Sequence, residues 1–215
     1  MSLAASLSDA FASRPDPGAV PAASIAVVVD QHEVVEAWGA QTSTVFQAAS
    51  ISKPVAAMVA LRLAADHRLD LEADVNLLLT SWQLPGDAPA EPVTVRHLLC
   101  HGGGLSVDGF PAYRQDEALP SLTDILDARP RCNTPAVRRK DSPGREWRYS
   151  GGGYQILHQL LEDVTGRVFA DLAAELVLRP AGMTTATYAQ PDPANAAAPH
   201  IAAAACCTIP PGARF

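Results

Sequence analysis

Lysine is nearly missing from this chain of 215 residues: only Lys53 and Lys140 occur, and arginine supplies the rest of the positive charge. Positive charge is also outnumbered, with 16 Lys and Arg against 23 Asp and Glu, a formal net charge of −7 and a pI near 5.3. That balance argues against a nucleic-acid partner, because phosphate binding needs a basic face. Charged residues make up 18% and aromatics 6%, against 48% hydrophobic, so the chain can bury a sizeable core as one large domain or two lobes. No apolar run approaches the roughly 20 residues of a membrane-spanning helix. Met1–Ala12 carries no Lys or Arg ahead of its short Ala/Leu stretch, a poor secretory signal, and the expectation is a soluble, cytoplasmic protein. Cysteine is sparse and scattered at Cys100, Cys132, Cys206 and Cys207, unlike a secreted disulfide framework. These read as buried or incidental thiols.

What is present has clear periodicity. Ser24–Val29 is a β-branched run, Asp30-Gln31-His32 a turn, and Glu33–Trp38 a second strand, which together predict an antiparallel hairpin. From Ser50 the texture becomes helical, with Val55, Val59 and Leu63 four apart beside Met58 and Leu61, predicting a largely buried helix that stops near Asp66–Asp70. Leu69–Val75 reads as a connecting turn and Pro85–Pro92 as a loop. Val93–Leu99 reads as a short helix ended by Gly102-Gly103-Gly104. Further helices are expected over Ser121–Ala128, Tyr154–Thr165 and Phe169–Leu178.

Chemistry concentrates in two places. Ser50-Ile51-Ser52-Lys53 lies where a loop enters a helix, and three residues of helix put both side chains on one face. A serine hydroxyl is a weak nucleophile until a neighbour takes its proton. An amine does so only when neutral, and the amino end of a helix also directs N–H groups at a developing oxyanion. Pro54 disfavours helical geometry at Lys53, so the first turn is expected to be irregular. The second place is Trp147-Arg148-Tyr149-Ser150-Gly151-Gly152-Gly153-Tyr154. Standing alone it reads as a packed aromatic at a helix entrance. Beside a cationic lysine the same phenol would titrate lower and serve as a general base or proton relay.

In combination these segments resemble a known family. FQAASISKPVAAMVALRLAADHRLDLEADVN is similar to the nucleophile helix of class C β-lactamase-like and penicillin-binding-protein-like serine hydrolases, whose signature includes S-x-x-K. TVRHLLCHGGGL resembles their T-x-x-x-L-L-x-H-T-S-G-L segment. PGREWRYSGGGYQILHQLLEDVTG resembles P-G-x-x-x-x-Y-S-N-x-G-Y-x-L-L, and LRPAGMTTATY resembles P-L-G-M-x-x-T. The likeness runs from about Pro21 to Tyr188. It implies Ser50 as acyl-forming nucleophile, Lys53 as its proton acceptor and Tyr149 as the group that passes a proton to the leaving group. Ser150, Gly151 and Gly152 would line the substrate. No metal or organic cofactor is implied, and the partner would be a small-molecule or peptide-like substrate with an ester, amide or β-lactam bond. D-alanyl-D-alanine carboxypeptidases and esterases share this pattern.

Departures from the pattern sharpen the expectation. Gly151 stands where β-lactamases of this type carry Asn, which favours an esterase or peptidase-like reading. Gly102-Gly103 replace Thr-Ser, and no K-T-G or H-x-G segment follows downstream. The tail IAAAACCTIPPGARF has no period and reads as a truncated or frameshifted end. An alternative therefore stands beside the hydrolase: a catalytically incomplete, hydrolase-derived fragment or non-turnover binding module, self-associating through an exposed sheet edge.

Two further patterns are set aside. His97-x-x-Cys100-His101 has helical spacing but no supporting carboxylate for a metal, and His101 reads as structural. The basic stretch Arg129, Arg131, Arg138, Arg139, Lys140, Arg145 and Arg148 reads as a solvated loop.

The fold expected is α/β in the loose, α+β sense: an antiparallel sheet packed with helices plus a helical lobe, β-lactamase/transpeptidase-like with its C-terminal strands missing. Residues 1–68 would begin the α/β domain and carry the nucleophile helix, and 69–161 would form the helical lobe with the Tyr149 segment. Residues 162–199 would return to the α/β domain, and 200–215 would be an irregular tail.

Overall fold

The computed structural model describes residues 3–13, 20–86, 91–111, 113–114, 118–189, 196 and 213–214. Residues 87–90 of the expected loop lie outside the described residues, as do Cys206, Cys207 and all of the expected tail except 213–214. The chain divides into two units, residues 1–47, 114–116 and 190–215 in one and residues 48–113 and 117–189 in the other.

In the first unit, helix α1 (Leu3–Ala12) precedes strands β1 (Ala23–Val29) and β2 (His32–Trp38). The strands pair antiparallel, with Ala23 opposite Trp38 and Val29 opposite His32, as the β-branched run and the turn after it predict. Asp30 and Gln31 both take positive φ, 47° and 66°, the mirror-image two-residue turn whose twist matches a hairpin. Phe11 of α1 stacks on Trp38 with ring centroids 4.3 Å apart. Much of the hairpin's β-branched surface stays open, with Val28 and Val29 exposed.

The second unit is helical. A 3₁₀ turn, Ala49–Ile51, leads into α2 (Ser52–Ala65), so the irregular start expected from Pro54 is present. Val59, Ala60 and Leu63 are fully buried, but Met58 and Leu61 are about half exposed, at 51% and 48%. The helix thus buries one face rather than most of its surface: residues 59 and 63 stack one turn apart, whereas 58 and 61 are rotated off that line. Short helices α3 (Val75–Leu78), α4 (Val95–Leu99) and α5 (Leu122–Asp127) follow. Asp74, Thr94 and Ser121 cap them in turn by accepting backbone N–H bonds from residues 76, 97 and 124. The α4 cap explains why that helix begins at Val95 rather than Val93. Its partner is His97, whose Nδ1 accepts from the Thr94 N–H at 3.2 Å.

At the centre is α6 (Gly151–Thr165), followed by α7 (Phe169–Ala173) and a π-helical continuation, Ala174–Leu178. Ile156, Leu157, Leu160 and Leu161 of α6 are fully buried in one cluster with Val59, Leu63, Leu98, Leu126 and Leu172. Each such side chain contributes roughly 1.5–3 kcal/mol over its exposed state. The loop before Trp82 is tied to this helix by Asp163, whose Oδ2 accepts from the N–H groups of Thr80 at 2.8 Å and Ser81 at 2.9 Å.

The start of α6 corrects the sequence expectation, which begins this helix at Tyr154. Three glycines form its first turn instead, because main chain packs directly against them. A Cβ on Gly151 would lie 2.8 Å from the Asp108 carbonyl oxygen, and one on Gly152 would lie 2.7 Å from that of Ser106 and 2.9 Å from a Val137 methyl. The same carbonyl-bearing segment accepts their N–H groups, Gly151 to Asp108 at 3.0 Å and Gly152 to Val107 at 2.9 Å. A glycine costs a helix about 1 kcal/mol relative to alanine, and here the close approach and these bonds offset it. Gly152→Ala is therefore expected to destabilise the protein by about 1–3 kcal/mol through overpacking, against the helix-propensity gain it would show on an open surface. Urea unfolding midpoints of the two proteins check this.

Candidate active site

Ser50 sits at the mouth of α2, immediately after Ala49, whose φ of +44° is a left-handed conformation that costs a non-glycine residue about 1 kcal/mol or more. That turn presents the Ser50 hydroxyl at the surface. Lys53 follows one helical turn later, and its Nζ donates to Ser50 Oγ at 2.9 Å. Tyr149, 99 residues after Ser50, donates its phenol O–H to the same oxygen at 2.7 Å. The Lys53 ammonium also stands over two aromatic faces, 4.9 Å from the Tyr149 ring centroid and 5.7 Å from that of Tyr154. Such placements each stabilise a cation by about 0.5–1 kcal/mol when partly exposed. Hydroxyl, amine and phenol meet at one oxygen.

The electrostatics of the cluster follow from this packing. Burial pushes the Tyr149 phenol up, but hydrogen bonds with Lys53 and Ser50 and the Lys53 charge outweigh it and hold the phenol below its ordinary range. Tyr154 moves the other way: burial raises it, with Tyr149 and Cys100 adding to the shift. Its O–H is used, donating to the Leu99 carbonyl at 3.1 Å. Two phenols near one lysine are thus pushed apart, and only Tyr149 is biased toward the anion. The start of α2 is held from a third side, where the Tyr188 O–H donates to the Ser52 carbonyl at 2.5 Å. Burial pushes that phenol up to about 12.

The glycine-rich stretch behind Tyr149 is used differently from the way the sequence suggests. Ser150 is buried, and its hydroxyl caps α6 by accepting from the Gly153 N–H at 3.0 Å while donating to the Ser106 carbonyl at 3.1 Å. Gly151 and Gly152 are buried against residues 106–109. Space that an asparagine side chain would need at position 151 is filled by the Asp108 carbonyl.

Of the His/Cys pattern, His97 completes the α4 cap and Cys100 is a free thiol, as is Cys132 outside the pattern. Among the described residues no group of three or more His, Cys, Asp or Glu side chains is placed to hold a metal, and no helix is long and apolar enough to cross a membrane. Arginines of the basic stretch are tied locally: Arg129 to Asp124 and Asp127, Arg139 to the Glu91 carbonyl, Arg148 to Asp141.

Comparison with known proteins gives this cluster its context. The family model described as Beta-lactamase matches residues 7–205. The chain belongs to that family. Esterase EstB of Burkholderia gladioli is 30% identical to it over 164 residues, 73% of this chain and 42% of the relative. Penicillin-binding protein 4* of Bacillus subtilis is 31% identical over 153 residues, 70% of this chain and 32% of the relative. The chain thus spans less than half the length of these curated relatives. Among solved structures, a penicillin-binding protein from Bacillus halodurans superposes with a TM-score of 0.67 at 20% identity, over 92% of this chain and 60% of that one. The fold is that of the β-lactamases and penicillin-binding proteins, and the helices and small antiparallel sheet agree with the class expected from the sequence.

Family membership makes this a hydrolase-family chain. Three contributors to the cluster receive no chemistry from the sequence: His101, which reads as structural there, Tyr154 and Tyr188. Nothing local flags them. Each acts through a partner distant in sequence, although all three fall inside the segments that carry the family resemblance.

Proposed function

We propose that this chain is a serine hydrolase that forms an acyl-enzyme on Ser50, acting on esters or peptide-like amides. One observation carries the reading: Lys53 Nζ and Tyr149 OH both lie within hydrogen-bond reach of Ser50 Oγ, at 2.9 and 2.7 Å. The Lys53 charge favours a phenolate at Tyr149, and the Lys53–Tyr149 pair takes the proton as Ser50 Oγ bonds to the carbonyl carbon. When the tetrahedral centre collapses, Tyr149 returns that proton to the departing oxygen or nitrogen. Water then attacks the ester on Ser50 with the same pair as base, and Ser50 regains its proton. No metal or organic cofactor enters these steps. Esters are favoured over β-lactams because the filled space at Gly151 leaves no room for the amide that resemblance to β-lactamases calls for, and because one relative is named an esterase.

Treatment with a fluorophosphonate tests this. Attack by Ser50 expels fluoride and leaves a phosphonyl ester, so the expected result is one adduct that maps to Ser50. An unmodified Ser50 in folded protein overturns the reading. Turnover is tested separately with a p-nitrophenyl ester: a burst followed by steady release supports hydrolysis, and a burst alone overturns turnover while leaving the acylation of Ser50 standing.

A further inference from the structure

We infer that His101 is a positioning residue for the Ser50 chemistry, its neutral imidazole holding the Tyr149 phenol on Ser50 and its protonation releasing it. The inference rests on the acyl-enzyme reading above. Its basis is the way one histidine grips the peptide groups on either side of Tyr149. The Arg148 N–H donates to the His101 carbonyl at 2.9 Å, and the Ser150 N–H donates to His101 Nδ1 at 3.2 Å. The imidazole also lies against the phenol between those anchors, with centroids 4.5 Å apart and planes tilted by 36°. Tyr154 and Trp147 complete the surround, at 5.2 Å and 6.0 Å. Position 148, position 150 and the Tyr149 ring are therefore all located by one side chain and its own carbonyl. His101 itself holds a left-handed φ of +60°, which a non-glycine residue adopts only when its surroundings impose it.

The grip depends on protonation. Nδ1 accepts a hydrogen bond only while it carries no proton; the imidazolium has N–H donors at both positions. Protonation would set an N–H against the Ser150 N–H and add a cation beside Lys53. The titratable groups facing the ring are Lys53 from α2, Tyr149 on the strap formed by residues 147–150 ahead of α6, and Tyr154 from α6, with Cys100 next to His101 in the chain. Burial, and after it the Lys53 charge, hold the imidazole below its ordinary range. The sign is fixed by that direction. A depressed imidazole contributes stability above the free histidine value, about 6.5, and that contribution is lost as pH falls toward the folded-state value. The ordered strap, and Ser50 reactivity with it, should fail in the same acid window.

Two substitutions separate ring from acceptor. His101→Asn tolerates positive φ and offers an oxygen to Ser150 but neither stacks nor titrates, while His101→Phe keeps a ring without an acceptor. The experiment is the rate of Ser50 phosphonylation by a fluorophosphonate against pH, on the full chain. The wild-type profile is expected to fall below about pH 6.5 in a step whose midpoint coincides with that of the His101 ¹⁵N NMR titration. His101→Asn should lose the step and run several-fold slower at neutral pH, and His101→Phe should be slowed about tenfold throughout. A step that survives in His101→Asn, or NMR and rate midpoints that disagree in the wild type, overturns the inference. Because the midpoint comparison needs only the wild type, the test holds even where a variant fails to fold. If wild-type Ser50 is unlabelled at every pH, the acyl-enzyme reading fails and this inference fails with it. If Ser50 labels but the step is not that of His101, only this inference falls.

Discussion

Lys53→Met is expected to slow phosphonylation of Ser50 by about 10³-fold or more. Methionine keeps the unbranched stem and removes the cation that bonds Ser50 Oγ. Three consequences follow from the geometry. The donor 2.9 Å from Ser50 Oγ is gone. The charge that holds the Tyr149 phenol low is gone, so the phenol moves back up and less phenolate is present at neutral pH. The two ring faces at 4.9 and 5.7 Å lose the cation they enclose. Because Lys53 lies at the surface end of α2, away from the Val59–Leu63 face in the core, the fold should persist. Stopped-flow labelling beside a circular-dichroism spectrum reads both. Residual labelling within tenfold of wild type would remove Lys53 from the reaction.

Tyr149→Phe is expected to cost about 10²- to 10⁴-fold, the range of a positioned acid–base group. The ring that packs on His101 and under Lys53 stays, so the loss isolates the O–H that reaches Ser50 at 2.7 Å. Its pH signature is specific. Tyr149 titrates below the ordinary phenol range, so wild-type labelling should rise with pH through that lowered value and level off above it. The rise is absent in Tyr149→Phe. Combining it with Lys53→Met should cost little more than the worse single change, because both groups bond the same oxygen. Additive losses would mean that the two groups serve separate steps.

Much of this molecule can be read from its sequence where one local signal decides. The β-branched run before Asp30 and Gln31 and the strand pattern after them mark the hairpin without an Asn-Gly turn, since the pattern of both strands outweighs the turn chemistry. The four-residue spacing of Val59 and Leu63 marks the buried face of α2, but it does not show that Met58 and Leu61 fall outside it. The opening turn of α6 is hidden, because glycine is a helix breaker by propensity. Only the pressing main chain of residues 106–109 shows why Gly151 and Gly152 are helical. Ser150 is likewise a cap in the structure, whereas family resemblance alone suggests a substrate contact. Ser50, Lys53 and Tyr149 were legible through motif spacing and resemblance together. His101 was not: its bonds go to residues 148 and 150, a pairing set by the tertiary fold and by no periodicity near position 101.

Peptide-resolved mass spectrometry after brief fluorophosphonate treatment tests the central claim most directly, because Ser52, two residues from Ser50, is an internal control. In folded protein the adduct should sit on Ser50 and not on Ser52, and it should vanish when urea separates Tyr149 from the helix. Equal labelling of both serines, or labelling of Ser50 that survives unfolding, would show that the hydroxyl owes its reactivity to something other than the convergence of Lys53 and Tyr149.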